Sequence, residues 1–512
     1  MDQQNQNPQP AVPQPQPVQY PPYYTPPSSV PKASPFPAGK REIIFGCLIA
    51  FFSLLMCNSI LFGGFNLGFA VTALGCILCS AVYLRCSGCR GSGYSTALLV
   101  LGCLICAGFA RSNDSGVKFI MFCFVLLAVN LGLCLQSGQN VFNPAHLSSL
   151  GDPFRVVFGF GLGKTTPALK GVGSTLRKGS PAVKKTGAVL AGLAISIPVL
   201  LVMIPLLMSA DAAFSGLINL IPSFDMGELI VTLFFGLILG CILYSRGVAL
   251  RHAPKAPQKF SRQKTGSPLT VNTVLMAVCV VYVAYLVSQL AYFVGGFSGI
   301  LPEGYTPAQY ARRGFFEMAL LCMINLGLIS VCIGLVAKHQ GVPPLFTRIL
   351  CLFMGLVTVF LVITASAKMG LYISSYGLTR LRLLTEIVMV FLGLATMVVC
   401  LWLFVPKIPY MKVILLLALS IGAVTLWADV DAMVAAYNVG AYENGTLSQV
   451  DVDYLGKLSD GAVPYLDRLA NSNNPVVADR AKIALQRRNP RIDDLRSWNF
   501  ATALAKELCK ED

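Results

Sequence analysis

Long apolar runs separated by short polar stretches make up most of this chain. Four runs, near residues 43–62, 65–84, 94–111 and 117–135, each approach the roughly 20 residues a bilayer core requires. A fifth covers about 187–208, where Pro198 and Pro205 are placed to bend it. Six more fall near 228–245, 270–296, 314–336, 349–373, 383–405 and 411–428. The pattern predicts an all-α polytopic transmembrane helical bundle of about eleven spans. The first run, Ile43–Phe62, follows a polar tail and lacks a small-residue cleavage site after it, so it reads as a retained span.

The polar stretches divide the chain into regions. Residues 1–40 form a Pro/Gln-rich tail, with 12 prolines in the first 38 positions and almost no charge, a composition that predicts disorder. Its Pro21-Pro22-Tyr23-Tyr24 is a candidate ligand for a Pro-reading domain, beside the plainer reading of a flexible tail. Residues 41–135 are a four-span region, 136–186 a loop with seven Lys/Arg, and 187–428 a core of about seven spans. Within that core Ser209–Gly227 has no Lys or Arg, and Phe214, Leu217, Ile218 and Ile221 recur at helical spacing. That suits a short helix lying in the interface.

Residues 429–512 predict a small domain of three or four short helices. Asp451 and Asp460 are placed as N-caps, and Asn474-Pro475 gives a cap followed by Pro at the first helical position. Val476, Val477, Ala481, Ala484 and Leu485 supply an apolar stripe. The domain is too short for an independent enzyme and suits docking or binding a protein partner.

Composition agrees with the pattern. Of 512 residues 55% are hydrophobic and 12% charged, against about 25% charged in soluble domains. The net charge of +16 sits in the membrane part: residues 1–428 hold 29 Lys/Arg against 10 Asp/Glu, and the rest 10 against 13. The N-terminal tail and every second loop hold 22 Lys/Arg. The opposite loops hold seven, Arg111, Lys118, Arg312, Arg313, Lys368, Arg380 and Arg382. This bias predicts a cytoplasmic N-terminus, and an odd span count then puts the C-terminal domain outside. Basic loops of this kind suit an anionic lipid surface; spread over several loops, they do not suit nucleic acid.

The exceptions to the charge bias are the informative residues. Tyr305–Asn325 pairs Arg312 and Arg313 with Glu317, one turn inside an apolar helix. Arg313 and Glu317 are spaced i,i+4, as are Arg382 and Glu386, so each pair is a candidate helix-face ion pair. Lys368 lies about one turn inside the outer end of its span, followed by Tyr372 and Tyr376. With Arg380 these groups fall at one level of the bilayer. Two converging arginine pairs suit a phosphate or carboxylate bound through bidentate hydrogen bonds. The competing reading is snorkelling anchors with two bracing salt bridges. Gln289 and Asn325 are mid-span polar residues, placed to line a transport path or to bond neighbouring helices.

Other motifs carry less. Cys76, Cys79, Cys86 and Cys89 offer two CxxC pairs, but one lies inside a span and the other in a loop, which does not suit zinc. Gly159–Thr165 is one residue short of a phosphate loop and Pro167 follows; a flexible basic loop near headgroups explains it better. His146, His252 and His339 are far apart, and no catalytic motif, metal site or cofactor site is recognisable.

Four segments, Met208–Phe214, Tyr305–Glu317, Tyr376–Leu383, and Asp451–Leu455 with Gly461–Pro464, carry a resemblance. From about Met208 to Ala470 the chain resembles a bacterial membrane family known as domain of unknown function 4173. The resemblance implies a multi-pass protein of the bacterial plasma membrane and supplies no catalytic residues. The leading expectation is a non-enzymatic envelope protein that binds an anionic lipid or envelope ligand at Arg312, Arg313, Glu317, Asn325, Lys368, Tyr376, Arg380, Arg382 and Glu386. The alternatives are a transporter of a small anion or lipid-linked substrate, and a membrane transferase with Glu317 or Glu386 as base.

Overall fold

Apolar runs of bilayer length leave the backbone no partner but itself, and each becomes a helix. The computed structural model describes residues 36–178, 226–255, 257, 266–297, 315–336 and 342–509, with scattered positions between 192 and 210. The fifth expected span and the expected interface helix lie almost wholly outside the described residues.

Lys40–Asn58 (α1) runs into a π-helical turn ending at Gly63, followed by Leu67–Cys86 (α2), Gly93–Gly108 (α3) and Ser115–Ser137 (α4). After Thr165–Lys178 (α5) come Met226–His252 (α6), Pro268–Phe297 (α7), Phe315–Leu335 (α8) and Leu345–Tyr376 (α9). Arg380–Phe404 (α10) and Tyr410–Ala428 (α11) complete the apolar helices. The C-terminal part holds Val430–Glu443 (α12), Val452–Leu455 (α13), Val463–Ala470 (α14), Pro475–Gln486 (α15) and Phe500–Leu508 (α16). Among the described residues nine helices are long and apolar enough to cross a membrane, and α3 is a shorter apolar helix. The protein is an all-α, multi-pass membrane protein.

Polar residues at the ends of the runs set the boundaries. Asp114 Oδ1 accepts from the amides of Gly116 and Val117 to start α4, and Gly138 ends that helix at φ 68°. Ser92 caps α3 and Thr379 caps α10.

The membrane helices form two cores. The first is built from α1–α4, α6 and α11, with Ile49, Phe69, Leu98, Ile105 and Leu131 fully buried. The second is built from α7–α10, around Leu275, Ile329, Met354 and Met389. Leu383 and Leu384 of α10 pack on the first core, so α10 joins the two. Small residues let α6 lie directly on α1: a Cβ on Gly236 would come within 2.9 Å of Leu54 Cα, and one on Gly240 within 2.7 Å of Ser53 Oγ.

α12, α14, α15 and α16 bury Val434, Val439, Leu466, Leu469, Leu485 and Ala505 in a third core, which also takes Leu378 from the α9–α10 turn. Asn438 of α12 holds that turn from both sides, accepting from Leu378 N and donating to Leu378 O at 2.7 Å each. The last segment returns to the bundle: Trp498 O accepts from Leu67 N, and Phe500 N donates to Ala110 O. The C-terminal domain is thereby fastened to the end of the bundle where α1 ends and α2 begins. α1 itself starts at the other end.

Three local expectations are corrected. Asp451 and Asn474 cap their helices, but Asp460 opens a 3-10 turn, Asp460–Ala462, that Ser459 precedes, and its side chain reaches Asn113, Arg488 and Thr502 instead. Gly159–Thr165 is not a loop but lies in a π-helix, Arg155–Leu162, and the turn into α5. Arg246 is not a loop residue: α6 runs on to His252, and Arg246 is buried inside it, donating to Asn130 Oδ1 at 3.1 Å and Ser80 Oγ at 3.3 Å.

Candidate functional site

Where the C-terminal domain meets the bundle, charged side chains leave water together. α11 ends at Ala428, and the chain turns at Asp429, the one non-glycine residue with positive φ (58°) among those described. Asp429 Oδ1 caps α12 at Ala432 N, and a Cβ on Gly461 would sit 2.6 Å from its Oδ2. The carboxylate seats because residue 461 is glycine. Two residues on, Asp431 is fully buried. Its Oδ1 takes Arg380 Nε at 2.8 Å, its Oδ2 takes Ser459 N at 2.7 Å, and the second arginine nitrogen closes a bidentate pair.

Arg380 also faces Asp114 Oδ2 at 3.3 Å, within ion-pair reach but off the hydrogen-bond angle. Its backbone N donates to Tyr454 Oη at 2.9 Å. Buried Lys118, one turn into α4, donates to Asn66 Oδ1 at 2.7 Å and lies in the field of Asp429 and Asp114. Arg111 opposes Asp429 and stacks on Phe500 at 4.3 Å. Asp114, Asp429 and Asp431 are therefore matched by Arg111, Lys118 and Arg380.

The two acids respond to burial differently. Burial pushes the Asp429 carboxyl above its ordinary range; the Ala432 amide and Arg111 oppose the shift, and neighbouring Asp431 adds to it. Burial also disfavours ionised Asp431, but hydrogen bonds from Arg380 and Ser459 outweigh it and hold that carboxyl below the usual range. The network is a closed electrostatic joint with no cation to spare for a ligand.

Beside the joint lies an open site. Phe315, Phe316, Met369, Tyr372, Thr379, Leu381, Arg382 and Thr385 line a cavity of about 220 Å³ between the ends of α8, α9 and α10. Most of the lining is apolar. Arg382 stacks on the Tyr372 ring at 4.0 Å and donates Nη1 to the carbonyls of Tyr376 and Gly377 at the end of α9. It forms no ion pair among the described residues, and the buried Oε2 of Glu386, one turn on, meets no hydrogen-bond donor there.

The residues singled out in the sequence separate accordingly. Arg382 walls the cavity. Lys368 is half-buried beside the cavity residue Met369, and exposed Tyr376 packs its ring 5.3 Å from Tyr372. Glu317 is exposed in the turn of α8 that supplies Phe315 and Phe316. Arg380 turns away into the joint. Asn325 is buried at mid-span, accepting from Tyr282 Oη at 2.7 Å and donating to Thr358 Oγ1 at 3.0 Å, so its amide ties α7, α8 and α9. Arg312, Arg313 and the Gln289 side chain lie outside the described residues. The i,i+4 ion pair between Arg382 and Glu386 is not formed, because the bare carbonyls at the α9 end compete for the guanidinium.

Asp114, Lys118, Asp429 and Asp431 were not singled out as site residues. Their signal was available: each is a charge at the edge of an apolar run, where ionisable groups are rarely idle.

The charged residues of the joint fall within a stretch, residues 73–469, that matches the model of a domain of unknown function, DUF4153. The chain belongs to that family. The number 4173 suggested by the arginine-rich segments is corrected to 4153, and the match begins at residue 73 rather than at Met208. The DUF4153 region takes in Asp114, Arg380, Arg382, Asp431 and Asp460, and stops before the closing segment that carries Arg496 and Phe500. No curated protein and no solved structure matches the chain.

Proposed function

We propose that this protein is a non-enzymatic membrane protein that binds an anionic amphiphile, a lipid or lipid-linked species, in the cavity walled by Arg382. One observation carries the reading. A guanidinium with no carboxylate partner among the described residues stands in an apolar-lined cavity at the end of a membrane bundle. Such a cation takes a phosphate or carboxylate headgroup through charge-assisted hydrogen bonds, while Phe315, Phe316 and Met369 receive an apolar chain. Thr379 and Thr385 add hydroxyls. By the distribution of Lys and Arg, the N-terminus lies in the cytoplasm and the C-terminal domain with the cavity faces out.

Native mass spectrometry with lipidomics of the gently purified protein tests this. Wild type retains an anionic lipid, and Arg382→Gln loses it by at least about tenfold, the scale of a hydrogen bond to a charged group. Equal retention in the two proteins overturns the reading. Changing Arg380 is not informative, because it breaks the joint.

A second reading rests on Glu386, whose buried Oε2, one turn from Arg382, has no hydrogen-bond partner among the described residues. A carboxylate left unpaired suits a base in a group transfer on a bound lipid. Turnover of vesicle lipid by wild type, abolished in Glu386→Gln, would support it; binding alone predicts that Glu386→Gln still retains the lipid.

A further inference from the structure

At the end of the bundle opposite the C-terminal domain, the segment 151–178 carries apolar side chains that none of the described residues covers. It consists of a one-turn helix Gly151–Phe154, the π-helix Arg155–Leu162, and α5. One side is built into the bundle: Val156, Phe160 and Ala168 are buried, and Ser245 Oγ of α6 donates to Phe160 O at 2.9 Å. Gly161 lies so close to α6 that a Cβ there would be 3.1 Å from Ile242 Cγ2. Phe36 N, ahead of α1, donates to Pro167 O.

The other side is uncovered among the described residues. Phe154, Phe158 and Leu162 recur every fourth residue and, with Leu169, are 44–64% exposed. A soluble surface rarely carries such a run of large apolar groups.

Charge identifies what covers it. Asp152 is the sole acid from residue 138 to 190, and it is fully buried, accepting from Val141 N and Phe142 N. Arg155 is spent on Gln139 O and the Phe160 ring. Lys164 and Lys170 remain beside the exposed apolar residues, with no ion pair among the described residues; Lys164 is half-buried and Lys170 exposed. An apolar face bordered by lysines, with no outward acid, is the pattern of a segment seated at the boundary of acyl chains and anionic headgroups.

We infer that residues 151–178 form a built-in lipid-binding wedge. Phe154, Phe158 and Leu162 lie among acyl chains, and Lys164 and Lys170 select anionic headgroups of the leaflet at that end. This site is independent of the Arg382 cavity, which lies at the other end of the bundle.

The test uses the full chain in vesicles of equal phosphatidylcholine and phosphatidylglycerol, with benzoylphenylalanine replacing Phe158 or, as the inward control, Phe160. Light should join position 158 to lipid and position 160 to protein. In the 158 protein carrying K164E and K170E, the phosphatidylglycerol share of the cross-linked lipid should fall at least about fivefold. Cross-linking of position 158 to protein would overturn the inference by showing a polypeptide on that face. An unchanged lipid ratio in the lysine variant would overturn the headgroup selection. Arg382→Gln should leave both readouts unaltered, so failure here is distinguishable from failure of the cavity reading.

Discussion

Arg380 and Arg382, two residues apart on the first turn of α10, do opposite work. Arg380 is bound into Asp431 and Asp114 across the joint between bundle and C-terminal domain. Arg382 turns to the other side, over Tyr372, with backbone carbonyls in place of a carboxylate. One is paired within the fold, and the other forms no ion pair among the described residues.

Breaking the first relationship should loosen the joint. Asp431→Asn leaves a cation facing a neutral amide and should destabilise docking of the C-terminal domain by about 3 kcal/mol, the lower end for a broken buried pair because Arg380 is partly exposed. Limited proteolysis of detergent-solubilised protein checks this. The variant should be cut between α12 and α15 faster than wild type, and equal rates would make the pair dispensable.

The two joint acids should give docking a maximum with pH. Asp429 has a raised folded pKa, so its stabilising contribution is present in the protonated state and is lost as pH rises through that value. Asp431 has a lowered folded pKa, so its contribution is present above the ordinary Asp range and is lost as pH falls through the folded value. Acidification from neutrality should first tighten and then release α12–α14, read as amide hydrogen exchange. Asp429→Asn should remove the tightening and Asp431→Asn the acid release. A monotonic profile in wild type would contradict these assignments.

Gly461 should be intolerant of a methyl group. In Gly461→Ala the new Cβ meets Asp429 Oδ2 and Cγ at under 3.0 Å, and the carboxylate is wedged in a strained turn. Overpacking of this kind costs about 1–3 kcal/mol. A thermal melt followed by tail-domain proteolysis should show the loss, while Gly445→Ala, which meets nothing within 4 Å, should cost only the strain of its φ of 74°.

Asn325 should act on stability alone. Asn325→Leu removes two interhelical hydrogen bonds and should lower stability by about 1 kcal/mol. Its lipid retention in native mass spectrometry should equal that of wild type. A selective loss of ligand would return Asn325 to the site.

Much of the architecture was written along the chain. A bilayer has one thickness and no water to satisfy a backbone, so run length alone marks the nine span-length helices among the described residues, and Asp114, Asp451 and Asn474 mark helix starts through bonds to their own neighbours. Arg382 could be chosen as an outward exception to the charge bias. Its partner could not: i,i+4 spacing offered Glu386, but the end of α9 folds back and presents Tyr376 O and Gly377 O. Nor could the joint be read off, because Asp114, Arg380 and Asp431 come from three distant parts of the chain and meet only when α4, α10 and α12 converge. Local hydrogen bonding and apolar length act between near neighbours and are visible in sequence. Charge pairing acts through space, and only the packed helices decided that Arg380, not Arg382, meets a carboxylate among the described residues.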